Sequence, residues 1–110
     1  MMINHGDIVL AKIYFSGNKA YKFRPCLIVS NDEYKKNTLE VLVVPVSIKK
    51  FPQYSLRLES DKLIYGELEK ESYVRCSGLF RLEQSSIVKK VAILEKKFLA
   101  QVIKRVRECF

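Results

Sequence analysis

Residues 22–31 read K-F-R-P-C-L-I-V-S-N, from Lys22 to Asn31. The run Cys26 to Val29 is apolar on both faces, the pattern of a strand buried within a sheet. Arg24 stands at its threshold, although buried strands avoid permanent cations. Pro25 has no N–H and biases Arg24 towards extended backbone, so it suits the first residue of such a strand. A guanidinium placed there calls for an anion, either a carboxylate of the protein or a phosphate of a ligand.

Upstream, Lys19 and Lys22 lie in a basic loop opened by the turn chemistry of Ser16-Gly17-Asn18. Before it, I-V-L-A-K-I-Y-F (8–15) reads as a strand rich in β-branched and aromatic residues. Downstream, the polar stretch 31–38 reads as a loop or a single helical turn, and L-E-V-L-V-V-P-V-S (39–47) is a clear strand. Pro45 near its end implies an edge or a bulge. Residues 54–59 alternate, with Leu56 and Leu58 on one face; 72–80 reads as a further strand and 83–86 as a turn. At the end of the chain Val91, Leu94, Phe98, Val102, Val106 and Phe110 recur at spacings of three and four, with Leu99 and Ile103 beside them. That stripe predicts an amphipathic helix with its cations on the opposite side. The expected fold is mostly β with a C-terminal α-helix, a small antiparallel β-barrel.

Composition sets the bounds. The 110 residues are 48% hydrophobic with only seven Pro and Gly, which suits one packed domain over 1–110. Cys26, Cys76 and Cys109 are widely separated and His5 is the sole histidine, a set that makes a zinc site an unsuitable reading and buried or inert thiols the simpler one. The start of the chain lacks the pattern of a targeting leader, and no apolar run nears the roughly 18–20 residues that span a bilayer, so a soluble protein of the cytoplasm, without metal or membrane, is expected. The net charge is +8, and residues 88–110 alone hold seven cations against two anions. Such a surplus favours polyanionic partners, of which nucleic acid, an acidic protein segment and an anionic membrane are the candidates.

Side chains alternate along a strand, so in S-Y-V-R-C-S-G Val74 and Cys76 point one way while Tyr73, Arg75 and Ser77 point the other. Ser47 closes its own strand where V-P-V-S gives way to I-K-K-F. Three strand ends thus offer two guanidiniums, Arg24 and Arg75, and a hydroxyl, Ser47. Each also has a plainer reading: a carboxylate partner for Arg24, a cross-strand pair for Arg75, an ordinary strand-end hydrogen bond for Ser47, and a turn or bulge for Ser77 before Gly78.

Taken together, the N-terminal G-D-I-V, the basic loop leading to R-P-C-L-I-V-S-N, V-V-P-V-S, and S-Y-V-R-C followed by a helix resemble the PemK/MazF toxins of bacterial type II toxin–antitoxin systems. The resemblance covers nearly the whole chain. It implies an SH3-like β-barrel, a homodimer, and a metal-independent endoribonuclease of the cytoplasm that needs no cofactor and cuts single-stranded mRNA at short motifs. It also implies an antitoxin whose acidic tail lies along the RNA groove. By motif, Arg24, Ser47 and Arg75 take the catalytic or phosphate-binding positions. Lys19, Lys22, Tyr73 and Ser77 take substrate-binding ones. One departure stands out: the residue after V-R-C, an aspartate general base in members of this kind, is Ser77 here. The alternative function is therefore an RNA-binding or interaction module on the same barrel with weakened catalysis. A gyrase-poisoning toxin, the third reading, has little support in these motifs.

Overall fold

In the computed structural model, residues 2–14, 17, 19–50 and 53–110 are described. Phe15, the expected turn residues Ser16 and Asn18, and the Phe51-Pro52 step lie outside them. The order of elements is β1 (Asp7–Tyr14), β2 (Tyr21–Ile28), α1 (Asp32–Asn37), β3 (Glu40–Ser47), β4 (Ser55–Leu58), β5 (Leu63–Gly66), β6 (Ser72–Arg75), β7 (Phe80–Glu83), β8 (Ile87–Leu94) and α2 (Lys96–Arg107). All strand pairings are antiparallel, in the order β4-β6-β3-β2-β1-β8-β5, with β7 joined to β3. The sheet curls into a half-barrel, helped by two register shifts between β1 and β8, since a bulge bends its strand and adds twist.

The apolar alternation of the strands divides into two clusters. Ile8, Leu27, Val44, Val46 and Val74 meet Phe98, Leu99, Val102 and Val106 of α2. Val9, Ala11, Cys26, Ile28, Val41, Val43 and Leu82 form the second, with Ile3 over them. Consecutive residues of β1, β2 and β3 thus serve opposite faces, which is why these strands are apolar on both.

β3 is the hub. Its first half pairs with β7, Val43 opposite Phe80, and its end pairs with β6, Val46 opposite Val74. Pro45 falls between those two pairings, so its missing N–H breaks no ladder there, although β3 is an interior strand.

Four expectations need correction. β2 starts at Tyr21, so Arg24 and Pro25 lie within the strand and not at its threshold. Pro25 is tolerated because β3 joins only at Cys26, leaving the first part of β2 as an edge. Residues 72–80 make two strands, split by a turn at Cys76-Ser77 in which the Gly78 N–H donates to the Arg75 carbonyl at 3.1 Å. Val91 and Leu94 belong to β8 and not to the helix, because Ile87–Leu94 supplies the partner of both β1 and β5. Phe110 is 82% exposed and outside the apolar stripe. Residues 32–37 do form a short helix, capped by Asn31, whose Oδ1 accepts the Tyr34 N–H at 2.9 Å.

Candidate nucleic-acid site

The face carrying the second cluster continues into a cleft of about 590 Å³ between β2, β3 and β6. Parity puts Arg24 on the side of Cys26 and Ile28, Ser47 on the side of Val41 and Val43, and Arg75 opposite Val74. All three line the cleft, together with Lys49 and the apolar Ile13, Cys26, Ile48 and Phe80. Three cations and no carboxylate stand around an apolar floor.

Arg24 is exposed and makes no ion pair among the described residues, so the plainer carboxylate-partner reading does not describe it. Arg75 is half-buried at the end of β6, in cross-strand register with Ser55 of β4. Ser47 Oγ accepts the Lys49 N–H at 3.0 Å, which fixes the hydroxyl. Among the described residues its own proton meets no acceptor, so it is placed to donate to a ligand oxygen.

The other sequence candidates are spread around this centre. Tyr73 lies directly opposite Ser47 on the same face, with Arg57 of β4 on its other side. Its hydroxyl donates to Glu71 at 3.2 Å, and that hydrogen bond, followed by desolvation, raises its pKa. Glu71 also holds the Arg57 Nε at 2.8 Å. Lys22 is exposed on β2, on the Arg24 side, and Lys19 is exposed just before the strand. Ser77 is exposed in the turn after β6 and does not line the cleft.

Lys49 joins the cleft beyond the seven candidate site residues, and its sequence signal is that V-P-V-S is followed at once by I-K-K. Cys26 lies in the floor of the cleft, but burial pushes its thiol up to about 12, so it remains protonated near neutrality and is no nucleophile. His5 does not line the cleft, and its Nδ1 is 3.0 Å from the Ser30 carbonyl. Among the described residues no three metal-ligating side chains converge, and no helix is long and apolar enough to cross a membrane.

Fold and cleft together define a small curled β-sheet protein with a long C-terminal helix packed on it and a surface suited to an anionic ligand. Residues 4–110 match the model of the family described as PemK-like, MazF-like toxin of type II toxin–antitoxin system, and the chain belongs to that family. No curated protein sequence matches it. Among solved structures it is similar to a MazE–MazF complex from Deinococcus radiodurans, at 18% identity and a TM-score of 0.77, over 96% of this chain and 94% of that one. It is also similar to the Mycobacterium tuberculosis toxin MazF-mt6, at 16% identity and 0.74, over 94% and 95%. A mycobacterial endoribonuclease solved with its cognate antitoxin matches at 13% identity and 0.71, over 98% and 94%.

Proposed function

We propose that this toxin, a single domain over 1–110, is a metal-independent endoribonuclease of the bacterial cytoplasm that cuts single-stranded mRNA. The observation that carries the reading is the gathering of Arg24, Arg75, Lys49 and Ser47 in one cleft free of carboxylates. RNA supplies its own nucleophile, the 2′-hydroxyl beside the scissile phosphate. Its oxygen attacks phosphorus, the bond to the 5′-oxygen breaks, and a 2′,3′-cyclic phosphate and a 5′-hydroxyl result. The proton of the 2′-hydroxyl passes to solvent base, and the departing 5′-oxygen takes one up. Arg24 and Arg75 hold the equatorial phosphate oxygens, where two guanidinium forks match the charge that develops in the transition state. Ser47 donates to one of those oxygens, and Lys49 adds a third positive charge at the rim. Lys19, Lys22, Tyr73 and Ser77 contact the strand outside the reacting centre. Two copies form a homodimer, and an antitoxin with an acidic tail silences the cleft by charge complementarity with the +8 chain.

A second reading, an RNA-binding module without turnover, is favoured by one feature: the cleft lining holds neither a carboxylate nor an imidazole to act as general base. Such a base is worth about 10²–10⁴ in rate. Incubation of the purified protein with a long single-stranded RNA in EDTA, followed by mapping of the ends, separates the two. Discrete cuts ending in cyclic phosphate are expected. Intact RNA together with salt-sensitive binding establishes the module instead. Arg24→Ala should remove cutting while leaving the thermal melt in place, and undiminished cutting by that variant overturns the assignment.

A further inference from the structure

The β1–β2 hairpin carries a second feature on its other face. Lys12, Tyr14, Tyr21 and Phe23 share that side, in the registers Lys12–Phe23 and Tyr14–Tyr21. The three rings form an edge-to-face ladder with centroids 5.7 and 5.5 Å apart, and each is about half exposed. The Lys12 ammonium lies 4.2 Å from the Tyr21 centroid and 5.9 Å from that of Tyr14. Exposed aromatic rings in a row are unfavourable in water unless a partner covers them.

Charge selects the partner. Residues 8–31 hold Lys12, Lys19, Lys22 and Arg24 and no Asp or Glu. A two-fold contact between copies through this hairpin would set four cations against four. A single-stranded nucleic acid brings both the negative charge and the flat π-faces that such a surface takes. Among the described residues, β2 pairs with no strand but β1 between Tyr21 and Pro25, and β3 joins it only at Cys26. Arg24 reaches the cleft on one face, and its neighbour Phe23 presents a ring on the other.

We infer that the Tyr14–Tyr21–Phe23 ladder with Lys12 is a stacking platform for nucleotides flanking the scissile bond, reached by the strand as it leaves the cleft past Arg24 and its neighbour Phe23. The inference rests on the ribonuclease reading and adds an extended, sequence-tolerant subsite to it, because every base has a π-face.

The test compares KM for a mapped cleavage substrate of about thirty nucleotides with KM for nested truncations of its flanks, by analogy with stacking losses at single-strand binding surfaces. For the wild type, trimming one flank should raise KM roughly ten- to a hundredfold. Tyr21→Leu combined with Phe23→Leu keeps apolar bulk but removes the π-faces, and should show the high KM at every length. Tyr21→Phe should restore the dependence on length. Wild-type dependence in the leucine variant overturns the platform, as does a wild type that cuts with no dependence on flank length. Sedimentation guards the remaining case: a dimer that the leucine variant alone dissociates makes the ladder a contact between copies and overturns the proposal. RNA neither cut nor bound by the wild type removes the ribonuclease reading itself, and this inference with it.

Discussion

Ser47 shows how a short side chain can be held without being used up. Its Oγ accepts the Lys49 N–H at 3.0 Å, a bond closed within two residues by the strand's own exit into I-K-K. A hydroxyl can accept twice and donate once, so this bond orients Ser47 and leaves its proton available to a ligand oxygen. Ser47→Ala should therefore lower kcat by about 10²-fold, the usual effect of removing one positioned donor. Ser47→Thr, which keeps the hydroxyl, should stay within about tenfold of the wild type by the same reasoning. Initial rates on one mapped substrate check both. A loss in Ser47→Thr equal to that in Ser47→Ala would show that the position matters for its size and not for its proton.

The wall of the cleft depends on how the β6–β7 turn seats against β3. Gly78 closes that turn, and a Cβ built on it would lie 2.8 Å from Pro45 Cδ. Pro45 in turn lines the cleft between the Arg24 and Ser47 strands. The proline ring is rigid and its strand is interior, so neither side yields easily. Gly78→Ala should cost about 1–3 kcal/mol in urea unfolding, the range for overpacking a close contact. It should also slow cleavage, since the displaced ring carries the strand that bears Ser47. A stable variant with full activity would show that the turn absorbs the methyl group without moving β3.

Two properties belong to the molecule as a body. Burial pushes the Cys26 thiol from its ordinary 9.0 up to about 12, and the Cys76 thiol from 9.0 up to about 11. In the unfolded chain both ionise near pH 9, whereas the fold keeps them protonated, so over this range the folded state binds more protons. Stability should be undiminished below pH 9 and fall as pH rises from 9 towards 11, by up to about 1.4 kcal/mol per thiol per pH unit. Urea midpoints between pH 7.5 and 10.5 measure it, and a profile flat from about pH 9 to 10.5 would show that burial does not raise these thiols. The second property is the absence of a carboxylate or imidazole from the cleft lining. Without an acid–base pair the cleavage rate should climb steadily between about pH 6 and 8.5, with no bell. A bell-shaped profile would reveal a general base contributed from beyond this cleft, such as a second subunit.

Much of this was legible along the chain. The strands at 8–14 and 40–47 declare themselves because residues on both faces are apolar, and the stripe from Phe98 to Val106 fixes α2, whose residues there are buried. Arg24, Ser47 and Arg75 were legible only together, through the R-P, P-V-S and V-R-C motifs of the family resemblance, since the pattern around each one alone also fits a plainer role. Other features had no local signature. Val91 and Leu94 fit a helical stripe as well as a strand, and only the open sides of β1 and β5 made Ile87–Leu94 a strand. The turn that breaks the strand at Cys76–Gly78 packs its glycine close against Pro45, more than thirty positions away. Tyr73 meets Ser47, and Lys49 joins the two arginines, only through the pairing of β3 with β6 and the curl of the sheet. Periodicity reports which side of a segment avoids water, and that is a property of neighbours in the chain. Which segments then pair, and how closely their backbones approach, is settled by surfaces formed from residues far apart in sequence, so the cleft exists only in the folded protein.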